Sequence, residues 1–171
     1  MLVKVSQFVG VMLYVLVAGV MWGTWLALGR TMTEYDATTF LADGKHMIAN
    51  LATVMAVLMI AAVVVGLIVT VLLFRRRATV AGWWALAGLL LMVGVLVVTL
   101  AVEVPIDNKI KTWTETSLPA DWKDIRSRWA DFHTLRTFLS LGAVAAAVVA
   151  ALARTTPDEG AAVSKLGRRE P

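Results

Sequence analysis

The chain has 171 residues, a net charge of +4 and a hydrophobic fraction of 59%. Soluble domains are about 45–50% apolar. The excess here lies in long apolar runs, so the composition excludes an ordinary soluble domain and indicates an integral membrane protein. Cysteine is absent, which excludes disulfides and thiolate chemistry. Membrane proteins typically carry an excess of basic residues on their cytoplasmic side, which accounts for the positive net charge. We therefore expect no nucleic-acid partner.

Four apolar runs, at about residues 8–29, 46–74, 83–104 and 131–153, are each long enough to cross a bilayer as a helix. They predict an all-α fold, an integral membrane four-helix transmembrane bundle occupying residues 1–154. Gly19 and Gly23, four residues apart in the first run, predict close contact with a neighbouring helix. Residues 30–45 are predicted to be a polar connection. The third run stops at Pro105, and an extended polar segment is predicted between helices 3 and 4.

The fourth helix is predicted to begin near residues 119–121, because Pro119 and Asp121 suit a first helical turn. It ends before a tail, residues 155–171, that is predicted to be disordered and cytoplasmic. Four spans place both termini on one side. Three consecutive arginines, 75–77, directly follow the second run. Positive residues beside a span favour the cytoplasm, so we expect a bacterial inner-membrane protein with cytoplasmic termini.

Polar residues recur at helical spacing where the spans approach the opposite face. His46 and Asn50 share one stripe of helix 2. In helix 3, Glu103 precedes Pro105, and Asp107 or Asn108 would lie on its side if the helix continued. One face of helix 4 carries Arg126, Trp129, His133, Arg136 and Ser140. Such residues usually face a bundle interior. We therefore expect Glu103 to pair with Arg136 near both histidines, in a polar pocket that opens to the outer face beneath residues 107–131.

The polar segment carries a recognisable pattern. It reads P-I-D-N-K-I, then Trp113, then L-P-A-D-W, then R-S-R-W-A-D-F-H-T-L-R-T. This pattern resembles the anthrone-oxygenase-like family, small four-helix membrane proteins that are mostly bacterial and of unknown function. The resemblance implies oxidation of an anthrone to an anthraquinone by dioxygen, without a dedicated organic cofactor. The matching positions are Asn108, Trp113, Trp122, Arg128, Trp129, His133 and Arg136.

The first hypothesis is therefore a membrane oxygenase with dioxygen as co-substrate. His133 would be the base, because imidazole exchanges protons near neutral pH. Arg136 or Arg128 would stabilise the substrate oxyanion. The predicted catalytic residues are His133, Arg136, Glu103 and His46. The predicted substrate-binding residues are Asn108, Trp113, Trp122, Arg128, Trp129 and Asn50. Of these, His46, Asn50 and Glu103 come from the helix geometry and not from the family pattern.

Two alternatives stay open. His46 and His133 lie on different helices and could ligate a haem, or a non-haem metal together with Glu103. The chain could instead be a non-enzymatic accessory subunit with a protein partner, or a ligand-binding protein. In all three hypotheses it meets the lipid bilayer, and in the first it also meets a small hydrophobic ligand. Tryptophans at this depth also suit a simple role as interface anchors.

Overall fold

The structure, a computed structural model, describes residues 2–29 and 31–153. The tail predicted at residues 155–171 lies outside this range. The described part of the chain contains helices and no strand, as the all-α prediction requires. Its five α-helices are α1 (Leu2–Thr24), α2 (Ala37–Arg75), α3 (Thr79–Val98), α4 (Val104–Thr112) and α5 (Trp122–Leu152). A π-helical turn, Trp25–Gly29, extends α1, and another, Thr99–Glu103, joins α3 to α4.

Four helical segments are long and apolar enough to cross a membrane, which identifies a membrane protein. They are Leu2–Glu34, Ala37–Arg75, Thr79–Thr112 and Trp122–Leu152. We call Thr79–Thr112 the third span. The 39 residues of α2 extend about 58 Å at about 1.5 Å per residue, far more than the roughly 30 Å of a hydrocarbon core. Part of α2 therefore lies beyond the bilayer.

The spans pack in a ring in which each contacts two neighbours. α1 and α3 each pack against both α2 and α5. We call the end with the connections at residues 31–36 and 113–121 the loop end. The bundle centre is a cluster of buried apolar side chains from all four spans. Its members are Tyr14, Val17, Met21, Met55, Met59, Ala62, Met92, Val95 and Ala143.

The second span starts earlier than its apolar run. α2 begins at Ala37, so the prediction of a polar connection through residue 45 is wrong. Asp36 caps the helix, accepting a 2.8 Å hydrogen bond from the main-chain N–H of Thr39, and this bond lowers the pKa of Asp36. Phe40 and Leu41 in the first turns are buried. The first turns of the helix are stabilised by this cap and by packing beyond the bilayer. The length of an apolar run predicts neither of these.

The third span does not stop at Pro105, so the helix end predicted there is wrong, and the first part of the polar segment between helices 3 and 4 is helical. The main-chain N–H of Val104 donates to the carbonyl of Thr99, five residues back, and α4 continues to Thr112. Proline has no N–H to donate and its ring clashes with the carbonyl four residues before it. The wider π-helical turn accommodates this defect without ending the helix.

Close helix contact occurs at glycines other than the predicted pair. A Cβ at Gly19 or Gly23 would meet nothing within 4 Å, so the expectation of tight packing there is wrong. A Cβ at Gly66 would overlap the hydroxyl of Tyr14, and one at Gly88 would lie 3.2 Å from the carbonyl oxygen of Ala143. Close approaches therefore join α1 to α2 and α3 to α5, towards the end opposite the loops.

A second apolar cluster, the loop-end cluster, closes the bundle at the loop end. Its buried members are Met32, Phe40, Leu41, Ile48, Ile106, Ile110, Trp113 and Trp129. Polar side chains fasten the connections to it. The guanidinium of Arg126 donates to the carbonyls of Thr33 and Tyr35, and Lys45 Nζ donates to the carbonyl of Trp113 at 2.6 Å. Residues 107–131, which were predicted to cover the pocket, are thus packed against the loop end of the bundle.

Candidate functional site

A cavity of about 240 Å³ lies between the four spans, beneath the loop-end cluster. Small-molecule sites are typically about 300–1,000 Å³, so the cavity suits a small ligand. Most of its wall is apolar, unlike the polar pocket predicted, and includes Met21, Met47, Leu51, Met55, Met59 and Leu96. One part is polar. It consists of Thr99, Asp107, Trp129, His133 and Arg136, which we call the polar wall; Thr24 of α1 is a further polar residue of the lining.

Arg136 is the centre of the polar wall. Its Nη2 lies 2.9 Å from Oε2 of Glu103, and its Nη1 donates to the hydroxyl of Thr99 at 3.3 Å. This is the ion pair that the helix spacing predicted. Glu103 does not line the cavity, and its side chain is only 1% exposed. It therefore lies behind the guanidinium and supplies its counter-charge.

The contacts of His133 fix its tautomer. Nη2 and Nε of Arg136 lie 3.0 Å and 3.3 Å from His133 Nδ1. A guanidinium has donors only, so Nδ1 is the acceptor and the hydrogen of the neutral ring is on Nε2. Nε2 is buried near the main-chain carbonyl of Met21 but makes no hydrogen bond of normal geometry within the described residues. The neutral ring of His133 therefore keeps its one N–H buried against α1.

Asp107 supplies a carboxylate at the cavity wall. Its Oδ1 accepts a 3.1 Å hydrogen bond from Trp129 Nε1. It lies one helical turn after Glu103, and it reaches the cavity because the helix continues through Pro105. The predicted site omitted Asp107 because the third helix was expected to end at that proline. The spacing from Glu103 had indicated this position only on the condition that the helix continued.

Two predicted residues of α2 lie elsewhere. His46 and Asn50 are exposed, and both line a separate recess beside Asp43. At this level α2 turns Gly44, Ile48 and Met55 inward, so the polar stripe lies on another face. His46 thus does not share a cavity with His133. In the described part of the chain, no three His, Asp or Glu side chains form a metal-binding cluster.

Two residues of the family pattern point away from the bundle interior. Asn108 is exposed, and its Oδ1 accepts from Lys111 Nζ at 3.3 Å. Arg128 is also exposed, with its guanidinium 5.7 Å from the ring centre of Phe132. Both side chains lie outside the cavity, so roles for them in ligand binding stay untested predictions.

The tryptophans divide between cap and cavity. Trp113 is buried in the loop-end cluster, and Trp122 stacks on Phe40 at 5.9 Å between ring centres. Only Trp129 also reaches the cavity wall, where its ring centre lies 6.4 Å from that of His133. Of the three tryptophans predicted to bind the substrate, only Trp129 lines the cavity. Trp113 and Trp122 pack in or against the loop-end cluster above it.

Both π-helical turns lie beside the polar wall. One carries Thr99 and Glu103, two of the partners of Arg136. In the other, Trp25 Nε1 donates to the Thr134 hydroxyl at 3.0 Å, and a Cβ on Gly29 would lie 3.7 Å from the His133 ring. Such turns occur mostly as single insertions in α-helices, frequently at functional sites.

Comparison with known proteins gives a family match. A family model described as Anthrone oxygenase matches residues 37–146, well over half of the 171-residue chain. The match begins with α2 and includes the whole polar wall together with Glu103. No curated protein and no solved structure shows significant similarity to the chain.

Proposed function

Because the chain belongs to the anthrone oxygenase family, we propose that it is a membrane oxygenase that oxidises a small hydrophobic aromatic molecule of the anthrone type with dioxygen. The observation that carries the proposal is the cavity itself, an apolar chamber with one polar wall. That wall combines two donors, Arg136 and the Nε2–H of His133, with one carboxylate, Asp107. These are the groups that an enolisable aromatic ketone requires.

An anthrone carries a CH₂ group between two aryl rings, conjugated with a ketone. Removing one of these protons places negative charge on the ketone oxygen. Arg136 and His133 Nε2–H would hold that oxygen, and Asp107 would take the proton. This assignment replaces His133 as the base, since its Nδ1 already accepts from Arg136 and its Nε2 carries hydrogen.

The remaining steps balance with dioxygen alone. The anthrolate gives one electron to dioxygen, and the resulting radicals join through a new carbon–oxygen bond. The peroxide anion takes back the proton held by Asp107. The hydroperoxide then loses the second hydrogen of the same carbon as its O–O bond breaks, which releases water and leaves a ketone. Each anthrone consumes one dioxygen and gives one anthraquinone and one water.

The apolar wall would hold the ring system during these steps. Met21, Met55 and Met59 contribute flexible thioethers, which contact aromatic rings favourably. Trp129 offers a ring whose orientation is fixed by its hydrogen bond to Asp107. The same wall keeps water from the carbanion, which protects it from reprotonation.

The test is dioxygen uptake and anthraquinone formation with anthrone and protein in nanodiscs. We expect equal amounts of dioxygen consumed and anthraquinone formed, above the rate of empty nanodiscs. His133→Phe keeps a ring but removes the donor, and should lower kcat by about 10²–10³. The exposed His46→Phe is its matched control and should keep the wild-type rate. A full rate in His133→Phe, or no rate above background in the wild type, contradicts the proposal.

We further propose the orientation expected from the sequence, a bacterial inner-membrane protein with cytoplasmic termini. The three arginines at residues 75–77 are exposed at the end of α2, where the positive-inside effect is strongest. Because the chain has no cysteine, Glu115→Cys gives a single exposed thiol at the loop end. An impermeant maleimide should label it in intact spheroplasts. Labelling only after lysis would reverse the orientation.

A further inference from the structure

Some residues that line the cavity are also exposed on the outside of the bundle. Ile60 of α2 is 57% exposed, and Leu100 of the third span is 60% exposed. Ala52, Ala56 and Val104 are likewise both exposed and part of the cavity wall. A residue that belongs to an inner wall and to the outer surface lies at an opening. These five residues form the rim of a gap between α2 and the third span.

The gap is confined to one part of this helix pair. Away from the loops, α2 and α3 are in close contact. A Cβ on Gly66 would lie 3.4 Å from Leu89, and one on Gly82 would lie 3.0 Å from the ring of Phe74. At the rim, two of the three α2 side chains, Ala52 and Ala56, are small, and the third span includes its π-helical turn. The two helices therefore leave an opening beside the polar wall.

The rim is apolar and lies at membrane depth. None of its five residues carries a polar side chain. Ile60 is at the middle of the apolar run 46–74, the part of α2 expected in the hydrocarbon layer. Towards water, by contrast, the packed side chains of the loop-end cluster cover the cavity. The opening therefore faces lipid.

We propose that this gap is a lateral entrance, through which the cavity takes its ligand directly from the hydrocarbon layer. The ligand class follows from the walls. It is a membrane-dissolved, flat apolar molecule with an oxygen that accepts hydrogen bonds from Arg136 and His133. That this ligand is also a substrate for oxidation rests on the proposed function. The route of entry rests on the rim residues and can be tested without turnover.

The absence of cysteine allows a clean accessibility experiment. Met55→Cys places a single thiol on the cavity wall, and Val57→Cys places one on the outer surface, since Val57 is 63% exposed and does not line the cavity. Each is reacted in phosphatidylcholine nanodiscs with N-pyrenylmaleimide, a flat apolar reagent, and with a permanently charged trimethylammonium methanethiosulfonate. Val57→Cys calibrates thiol reactivity within the membrane.

We expect N-pyrenylmaleimide to label Met55→Cys within about tenfold of the rate at Val57→Cys, and the charged reagent to label it far more slowly. Faster labelling of Met55→Cys by the charged reagent would show entry from water and overturn the proposal. Failure of both reagents at a thiol that is still titratable after unfolding would also overturn it, because the cavity would then be closed.

The gap itself is tested by filling it. In the Met55→Cys protein, Ala56→Trp should slow pyrene labelling at least tenfold, whereas the neighbouring Val57→Trp should not. Leu100→Trp repeats the test from the facing helix if Ala56→Trp does not fold, as judged by helical circular dichroism and monodisperse elution. Unchanged labelling in a folded filled variant overturns the lateral entrance. Intact labelling without anthrone oxidation would refute the proposed activity alone.

Discussion

Arg136 owes its fixed position to three neighbours at once. Glu103 balances its charge, the hydroxyl of Thr99 accepts from Nη1, and His133 Nδ1 accepts from Nη2. A buried charge is tolerated only when it is paired and hydrogen-bonded. The same contacts leave the hydrogen of the neutral His133 ring on Nε2, so the network that stabilises the arginine also sets the tautomer of the histidine.

Glu103→Gln tests the stabilising part of this network. The substitution keeps the size of the side chain but leaves Arg136 as a buried cation without its counter-charge. Breaking a buried pair from one side costs about 3–5 kcal/mol, and we expect a loss of this size in unfolding experiments in mixed micelles. Asn108→Ala, at an exposed position, should change stability by no more than about 0.5 kcal/mol. Wild-type stability in Glu103→Gln would contradict the pairing.

Asp107→Asn tests the assignment of the base. The amide oxygen still accepts from Trp129 Nε1, so the cavity wall is preserved while the proton acceptor is lost. General-base catalysis contributes about 10²–10⁴ in rate, and we expect kcat for anthrone oxidation to fall by this amount with little change in KM. Asp43→Asn, in the neighbouring recess, is the control. An equal kcat in both variants would exclude Asp107 as the base.

Residue spacing predicted one half of the site and failed for the other. On α5 the alternation of three and four residues correctly placed Trp129 and His133 on a buried face, with Arg136 partly buried beside them. The equivalent stripe on α2, with His46 and Asn50, is exposed instead. A polar stripe near the end of a span satisfies its hydrogen bonds equally well inside the bundle or at the water boundary, so spacing alone cannot distinguish the two.

Among the helix contacts, the crossing of α1 and α2 depends on Gly66. A Cβ there would overlap the Tyr14 hydroxyl and lie 3.3 Å from its Cζ. Tyr14 is only 2% exposed, and its ring is rigid. Overpacking of this kind costs about 1–3 kcal/mol, and we expect Gly66→Ala to destabilise the bundle by that amount.

Removing the obstructing hydroxyl should reverse the effect. In the Tyr14→Phe background, Gly66→Ala should cost less than it does in the wild type, as a double-mutant cycle of unfolding free energies would measure. Gly19→Ala is the control, because its Cβ meets nothing within 4 Å, and it should be neutral or stabilising by up to about 1 kcal/mol. An equal cost of Gly66→Ala in both backgrounds would contradict the close contact.

The start of α2 gives a dependence on pH. The hydrogen bond from Thr39 lowers the pKa of Asp36, so the cap stabilises the fold above the ordinary range of an aspartate. Its contribution is lost as pH falls through the lowered pKa. Asp36→Asn keeps a capping oxygen without a titrating group. We therefore expect the stability difference between wild type and Asp36→Asn to shift against the wild type below about pH 4, and a pH-independent difference would contradict the cap.

Helix number and order followed from the apolar runs, whereas helix ends did not. Hydropathy reports where a helix crosses lipid, but Asp36 starts α2 by a local hydrogen bond, and Pro105 is absorbed by a π-helical turn. Both effects depend on a few main-chain groups. The second also decides the site, since continuation past Pro105 brings Asp107 to the cavity.

For the molecule as a whole, four apolar spans were enough to predict a membrane bundle, but not its cavity. The cavity exists because α2 and the third span separate beside Ala56 and Leu100 while remaining packed at Gly66 and Gly82. How far apart two helices lie depends on how they pack in three dimensions, and the spacing of residues along the sequence does not predict it. An apolar chamber beside the lipid, with donors on one wall, is the feature on which the proposed oxidation of a hydrophobic molecule rests.

The central proposal is that the polar wall stabilises an anthrolate, and an anaerobic absorption titration with anthrone tests it most directly. Without dioxygen the reaction stops after proton removal, and the conjugated anthrolate absorbs at longer wavelength than the ketone. We expect a saturable anthrolate band, one per chain, that is lost in Arg136→Met and kept in His46→Phe. An unchanged ketone spectrum at saturation, or an equal band in Arg136→Met, would contradict the proposal.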